Sequence, residues 1–169
     1  MKPLIKEING ITPKFGKDCY LSENTTIIGD VVCGDRCSFW FNSVIRGDVH
    51  FIKIGNEVNI QDGAIVHCTY KKSPTIIGNR VTVGHNAIVH GCTIKDRVLI
   101  GMGAVVLDDC IIESDSIVGA GAVLTMGTHV KSGEIFAGIP AKKVKKGNFK
   151  EQLLALANKY VEYSKWYED

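Results

Sequence analysis

The sequence predicts an all-β fold, a coil of short parallel strands that is followed by a C-terminal α-helix. Aliphatic side chains recur at intervals of six residues through most of the chain, and an amphipathic segment follows where this repeat ends. A six-residue period fits neither an amphipathic helix nor a simple alternating strand. It suits stacked strands separated by tight corners, with the aliphatic residue of each hexad pointing inward.

The repeat is unbroken in the second half of the chain. The series is Ile94, Ile100, Val106, Ile112, Val118, Leu124, Val130 and Phe136. The residue four positions after each of these is mostly small, and Glu134 is the exception. The same register extends upstream to Leu21, with two breaks that we interpret as loops, around residues 49–53 and 69–76. One hexad, between Val89 and Ile94, is a residue short.

The two ends of the chain differ from the repeat. We predict a β-helix domain over residues 1–148 (an irregular N-terminal segment 1–20, coils over about 21–141 and an exit linker 142–148) and a helix over 149–169. Pro140 disfavours further helix or ladder at the exit from the last coil. Asn148 is a candidate helix cap. The helix has one apolar face, so we expect it to pack back on the coil; the face comprises Leu153, Leu156, Ala157 and Tyr160.

Composition excludes several classes of function. A length of 169 residues indicates one domain, and a net charge of +2 without a basic stripe argues against nucleic-acid binding. No apolar run is long enough to span a bilayer. Residues 1–7 lack the apolar core of a signal peptide, so we expect a cytoplasmic protein without a membrane partner. Six cysteines without a CxxC pair are interpreted as reduced core thiols.

Two histidines occupy the same phase of the repeat. His67 and His90 are each the second residue of a hexad, one full coil apart, so we expect them to stack about 4.8 Å apart on one face. Arg46 falls in the same column if the insertion at 49–53 adds a loop and no extra hexad.

A third histidine lies on another face. His85 is the third residue of its hexad, with Asp62 beneath it and Gln61 beneath Gly84. Closed three-fold symmetry would bring the two half-sites of neighbouring copies together, which predicts a homotrimer with a three-histidine site at each interface. Three imidazoles with an open fourth position are typical of a catalytic zinc site, and Fe²⁺ or Co²⁺ also suits imidazole.

Four segments carry a resemblance to a known family. They read VIRGDV at 44–49, NIQDGAIVH at 59–67, VGHNAIVHGC at 83–92 and IGMGA at 100–104. The chain resembles the γ-class carbonic anhydrases and their carbonic-anhydrase-like relatives. These are hexapeptide-repeat proteins with a left-handed parallel β-helix of three hexads per coil.

The resemblance implies a zinc-dependent hydration of carbon dioxide to bicarbonate at trimer interfaces. The implied metal ligands are His67, His85 and His90. The implied catalytic residues are Gln61, Asp62, Arg46 and Tyr160. Arg46 and Asp48 would form ion pairs across the interface, and Tyr160 or Tyr163 would fold over the site.

One segment departs from the family pattern. The best-known active members carry an acidic loop with a glutamate proton shuttle, whereas residues 69–75 are basic and contain no acid. We therefore expect turnover that depends on external buffer. Two alternatives remain open: an acyl-CoA thioesterase or acyltransferase on the same scaffold, and a non-catalytic metal-stabilised trimer. The paired histidine column argues against a simple acyltransferase, which needs one basic histidine and no metal.

Overall fold

The computed structural model describes residues 2–167, so the outermost positions of the two predicted domains, residue 1 and residues 168–169, lie outside the described residues. Short strands and one C-terminal helix make up this range. The strands are β1 Leu4–Lys6, β2 Tyr20–Leu21, β3 Thr26–Cys33, β4 Ser38–Phe39, β5 Val44–Ile54, β6 Asn59–Ile60, β7 Ile65–His67, β8 Thr75–Ile77, β9 Thr82–Val83, β10 Ile88–His90, β11 Thr93–Ile94, β12 Leu99–Ile100, β13 Val105–Val106, β14 Ile111–Ile112, β15 Ile117–Val118, β16 Val123–Leu124, β17 His129–Val130, β18 Glu134–Ala137 and β19 Lys142–Lys146. The helix α1 spans Lys150–Ser164, and a 3₁₀ turn follows at Lys165–Tyr167.

The strands form three stacks, and the long strands β3 and β5 each pass from the first stack into the second. The first contains β7, β10, β13 and β16, the second β8, β11, β14 and β17, and the third β2, β4, β6, β9, β12, β15 and β18. Neighbours within these stacks pair in parallel. Three hexads therefore make one coil, and the predicted parallel β-helix is confirmed.

The hexad residues fill the interior. From Ile94 to Val130, every aliphatic residue of the series is at most 1% exposed. Glu134, the exception in the small-residue column, is also buried, at 6% exposed. Its carboxylate accepts hydrogen bonds from Lys143 Nζ at 2.8 Å and from the Lys131 backbone N–H at 3.0 Å. A buried acid is tolerated in the last coil because both of its oxygens are paired.

The prediction of a loop around residues 49–53 is wrong. Strand β5 runs without interruption from Val44 to Ile54. Its first part pairs with β7, with Ile45 opposite Val66, and its last part pairs with β8, with Ile54 opposite Ile77. The extra residues lengthen a strand that passes from one stack to the next, so they add no hexad and leave the coil count unchanged.

The terminal segments are more regular than the sequence indicates. Strand β1 pairs in parallel with β3, so the N-terminal segment runs along the first coil. Strand β19 pairs antiparallel with β18, so the region expected to be an exit linker contains an edge strand.

The helix packs on the coil through the predicted face. Leu153 and Ala157 are buried, and α1 contacts β4 and β6. The N-cap residue is Phe149, one position after the predicted Asn148. Asn148 Oδ1 nevertheless accepts a hydrogen bond from the Lys150 backbone N–H at 3.2 Å. Among the described residues, no helix is long and apolar enough to cross a bilayer.

Candidate metal centre

His67 and His90 stack as predicted. They are opposite each other on β7 and β10, and His67 Nδ1 lies 3.1 Å from His90 Nε2. Ile45 pairs with Val66, which places Arg46 level with His67. The predicted column is therefore present on the first stack.

A carboxylate contacts the far nitrogen of each ring. Asp48 Oδ1 lies 3.2 Å from His67 Nε2, and Asp108 Oδ1 lies 2.5 Å from His90 Nδ1. An ionised carboxylate only accepts hydrogen bonds, so these two ring nitrogens carry the protons. In neutral imidazoles the facing nitrogens, His67 Nδ1 and His90 Nε2, are then both unprotonated. Two lone pairs at this distance repel each other unless a cation lies between them.

The electrostatics of the site support a neutral His67 ring beside two ionised acids. Burial lowers the pKa of His67, although Asp48 opposes the shift. Burial raises the pKa of Asp48, but hydrogen bonds from Arg46 and His67 outweigh it, so that the net pKa is lowered. The pKa of Asp108 is lowered in the same way, because hydrogen bonds from Thr69 and His90 outweigh its burial. With both acids ionised, each carboxylate accepts a ring N–H on the far side, and the facing nitrogens are left as candidate ligands.

The geometry of this pair fits a metal ion. Two nitrogens bound at 2.0–2.1 Å in a tetrahedron are about 3.3 Å apart, close to the observed separation. Metal-binding histidines commonly donate the other ring N–H to a carboxylate, as both rings do here. The donor set suits any divalent ion that prefers imidazole, so it does not separate zinc from iron or cobalt.

His85 forms the second half-site. Ile60 pairs with Val83, which places Gln61 level with Gly84 and Asp62 level with His85, as predicted. His85 Nδ1 lies 2.9 Å from Asp62 Oδ2, and the two side chains are 39% and 42% exposed. The carboxylate holds the proton on Nδ1, so the opposite ring nitrogen of His85 is available as a ligand.

Aromatic side chains of the C-terminal segment cover this second half-site. Tyr160 packs edge-on against Trp40, with ring centroids 5.6 Å apart. Both line a cavity of about 270 Å³ together with Asp62 and His85, and Tyr163 also lines it. Burial and then the charge of Asp62 raise the pKa of Tyr160, so its phenol stays protonated. Tyr160 thus lines the same cavity as His85, and its catalytic role stays a prediction.

The two half-sites do not meet within one chain. Over residues 2–167, the one cluster of three His, Cys, Asp or Glu side chains with ligand atoms within 4.8 Å of one another is Cys19, Cys33 and Cys37. Arg46 Nη1 lies 2.7 Å from Asp48 Oδ2 of the same chain. Their ion pair across an interface stays a prediction.

Asp108 is the residue that sequence reasoning missed. It lies in the coil after His90, and it reaches back to the ring past Gly91. Gly91 has a φ of +55°, and a Cβ at this position would lie 2.4 Å from Asp108 Oδ1. The short hexad between Val89 and Ile94 marks this irregularity in the sequence, but it does not name the acid that fills the space.

Comparison with known proteins agrees with this architecture. Residues 91–125 match the family model described as bacterial transferase hexapeptide (six repeats). The chain is 38% identical over 177 residues to Protein YrdA of Escherichia coli (strain K12), covering 100% of this chain and 96% of that one. It is 41% identical over 140 residues to "Gamma carbonic anhydrase 2, mitochondrial" of Arabidopsis thaliana, covering 80% of this chain but only 50% of that protein. This chain therefore spans about half the length of the Arabidopsis protein.

A solved structure is similar along almost its whole length. The hexapeptide transferase family protein from Anaplasma phagocytophilum superposes with a TM-score of 0.93 at 38% sequence identity, covering 99% of each chain. Together with the paired histidines and the coil, these similarities establish that the chain belongs to the γ-class carbonic-anhydrase-like family of hexapeptide-repeat proteins.

Proposed function

We propose that this protein is a metal-dependent, carbonic-anhydrase-like enzyme that hydrates carbon dioxide reversibly at the interfaces of a homotrimer. The observation that carries the proposal is the pair of facing ring nitrogens of His67 and His90, 3.1 Å apart, with a carboxylate beside the other nitrogen of each ring. The relatives named γ carbonic anhydrase support the reaction class. The metal is Zn²⁺, Fe²⁺ or Co²⁺ on the chemistry of the ligands.

The third ligand in this proposal is His85 of a second copy. The face that carries His67 and His90 also presents an outward column of aliphatic residues, one from each successive coil. The column is Val44, Ile65, Ile88, Val105 and Val123. Ile65 is 41% exposed in the single chain. A continuous apolar strip beside an incomplete site supports burial against another copy, and closed three-fold symmetry completes all three sites at once.

The residues around the metal have separable roles. The metal would supply a nucleophile at neutral pH by lowering the pKa of water, to about 7 for zinc. Asp48, Asp62 and Asp108 each hold one histidine in its ligating tautomer. The amide of Gln61 is buried, and its Nε2 donates to Asn59 Oδ1 at 3.0 Å, which fixes the direction in which the amide points.

Substrate entry and product release follow from the walls of the site. The aromatic cavity with Trp40 and Tyr160 beside His85 suits a small neutral molecule and limits the access of water. Arg46, whose side chain is 42% exposed, places a positive charge beside His67 that would attract an anionic product such as bicarbonate. Hydration of carbon dioxide releases a proton, and residues 69–75 contain no carboxylate that could accept it. Buffer in solution therefore takes up this proton.

A second candidate, transfer or hydrolysis of an acyl thioester, is favoured by the similarity to a hexapeptide transferase family protein. The carboxylate-oriented histidine pair weighs against it, because a general base needs one imidazole and no metal.

The decisive measurement is carbon dioxide hydration by stopped flow, on anaerobic protein loaded with Zn²⁺ or Fe²⁺, at several buffer concentrations. We expect turnover that rises with buffer and is abolished by His90→Ala. His129→Ala is the matched control. His129 is exposed and contacts Glu113, away from the paired histidines. Absence of hydration in the metal-replete trimer would reject the proposal, and metal-dependent acyl-CoA hydrolysis by the same preparation would favour the second candidate.

A further inference from the structure

Three cysteines converge at one corner of the first two coils, away from the histidines. Cys19 and Cys37 are each four residues after an inward hexad residue, in consecutive coils, and Cys33 is the inward residue of the hexad that contains Cys37. Tyr20 pairs with Ser38, which brings the preceding residues Cys19 and Cys37 level with each other. The repeat therefore directs all three side chains into one part of the interior.

The three sulfur atoms lie within 4.8 Å of one another, and Cys19 Sγ is 4.0 Å from Cys33 Sγ. Three sulfurs that surround one ion in a plane at 2.3 Å are about 4.0 Å apart. The distance between Cys19 and Cys33 matches such a site and is twice the length of a disulfide bond, about 2.05 Å. All three thiols are free.

We propose that Cys19, Cys33 and Cys37 form a second metal site, which binds a thiophilic d¹⁰ ion, Cu⁺ or Zn²⁺, through three sulfurs. Thiolate ligands select these ions over the hard cations, and an all-sulfur set also separates this site from the histidine site. Cys33 and Cys37 are buried, whereas Cys19 is half-buried and leaves an approach from solvent.

The electrostatics of the cluster are consistent with metal binding. Hydrogen bonds from Cys33 and then Cys37 lower the pKa of Cys19, and the same contact with Cys19 raises the pKa of both partners. Metal binding requires the thiolate forms and releases the thiol protons, so affinity rises with pH.

The bound ion would link the N-terminal segment to the next coil. Cys19 precedes β2, whereas Cys33 ends β3 and Cys37 precedes β4. A ligand that binds only the folded chain at this corner would stabilise the attachment of the N-terminal segment to the coil.

The test uses the full chain, reduced and freed of metal under anaerobic conditions, and titrated with Cd²⁺ as the probe. Ultraviolet thiolate-to-cadmium absorption reports sulfur ligands only, so metal at the histidines does not contribute to the signal. We expect this band in the wild type and a rise in the unfolding temperature with Cd²⁺. Competition with Cu⁺ and with Zn²⁺ then shows which of the two ions the site prefers.

Cys19→Ser is the informative variant, because the residue is half-buried and its replacement leaves the interior packed. We expect its Cd²⁺ affinity to fall by more than about tenfold, since even a partner that only orients a ligand is worth 10–100-fold. Cys110→Ser is the matched control, since Cys110 is a buried thiol at the same hexad position outside the cluster. Absence of the band in the wild type, or equal losses in both variants, would overturn the proposal.

Discussion

At the level of single residues, carboxylates decide what the histidines can do. Without Asp48 and Asp108, the stacked rings of His67 and His90 could share a proton between their facing nitrogens. With an acid on the far side of each ring, both protons are held away from that gap. In the proposed site a cation occupies the space between the rings, so we expect metal affinity to depend on residues that do not touch the metal.

Replacing Asp108 tests this dependence directly. Asp108→Asn keeps the shape of the side chain but offers His90 an amide that can also donate, so the ring is no longer held in one tautomer. We expect metal affinity to fall by about 10–100-fold, measured by competition with a chelator. Asp109→Asn is the control, because Asp109 is exposed and accepts a hydrogen bond from Ser73 Oγ at 2.7 Å instead. Unchanged affinity in Asp108→Asn, or an equal loss in Asp109→Asn, would contradict this role.

At the level of elements, the corners of the coil carry their own interactions. Arg36, Glu57 and Arg80 occupy the same corner of three successive coils, each with a φ between +52° and +56°. The Glu57 carboxylate accepts hydrogen bonds from the Arg36 guanidinium and from Arg80 Nε, the latter at 2.6 Å. Burial opposes the ionisation of Glu57, but hydrogen bonds from the two arginines outweigh it and lower its pKa below the ordinary value of 4.5.

The lowered pKa predicts a pH-dependent contribution to stability. An acid whose pKa falls on folding stabilises the protein fully above its ordinary pKa, and this contribution is lost as the pH falls through the folded value. Glu57→Gln should therefore lower the free energy of unfolding at pH 7 by about 1 kcal/mol, because its hydrogen bonds lose their charge. The difference should shrink as the pH falls below 4.5.

Urea unfolding at fixed protein concentration, from pH 7 downwards, measures this difference. Glu113→Gln is the control, because Glu113 pairs with His129 at the protein surface. Ion pairs that are exposed to solvent contribute little to stability. A Glu57→Gln difference that is the same at every pH would show that packing, and not charge, is lost.

The hexad phase was sufficient to predict which residues face inward and which histidines stack. Burial of one side chain in every hexad fixes the register between coils, so His67 opposite His90 follows from counting alone. Counting could not show that residues 49–53 stay in strand, because β5 pairs with one stack at its start and with another at its end. Nor could it identify Asp108, whose contact with His90 depends on the reach of a side chain past Gly91. The handedness of the coil came from the family resemblance.

At the level of the whole molecule, the proposed site is divided between two surfaces of one chain. His67 and His90 lie on the first stack, whereas His85 follows β9 of the third. If each interface of a trimer combines the first surface of one copy with the second surface of the next, every copy contributes to two sites. Inactivation of either half then removes all activity from a uniform trimer, but a mixed trimer keeps one complete site.

Mixing two inactive variants therefore tests the assembly itself. His85→Ala keeps the first half-site, and the double variant His67→Ala, His90→Ala keeps the second. Co-refolding equal amounts should restore about a quarter of the wild-type activity and metal content, because about three-quarters of random trimers are mixed and each has one intact site of three. The control mixes the His85→Ala variant with a double variant that carries both His85→Ala and His90→Ala. This double variant cannot supply an intact second half-site. If mixed trimers form, as confirmed by native mass spectrometry, but the first mixture regains no activity, a site shared between neighbouring copies is rejected.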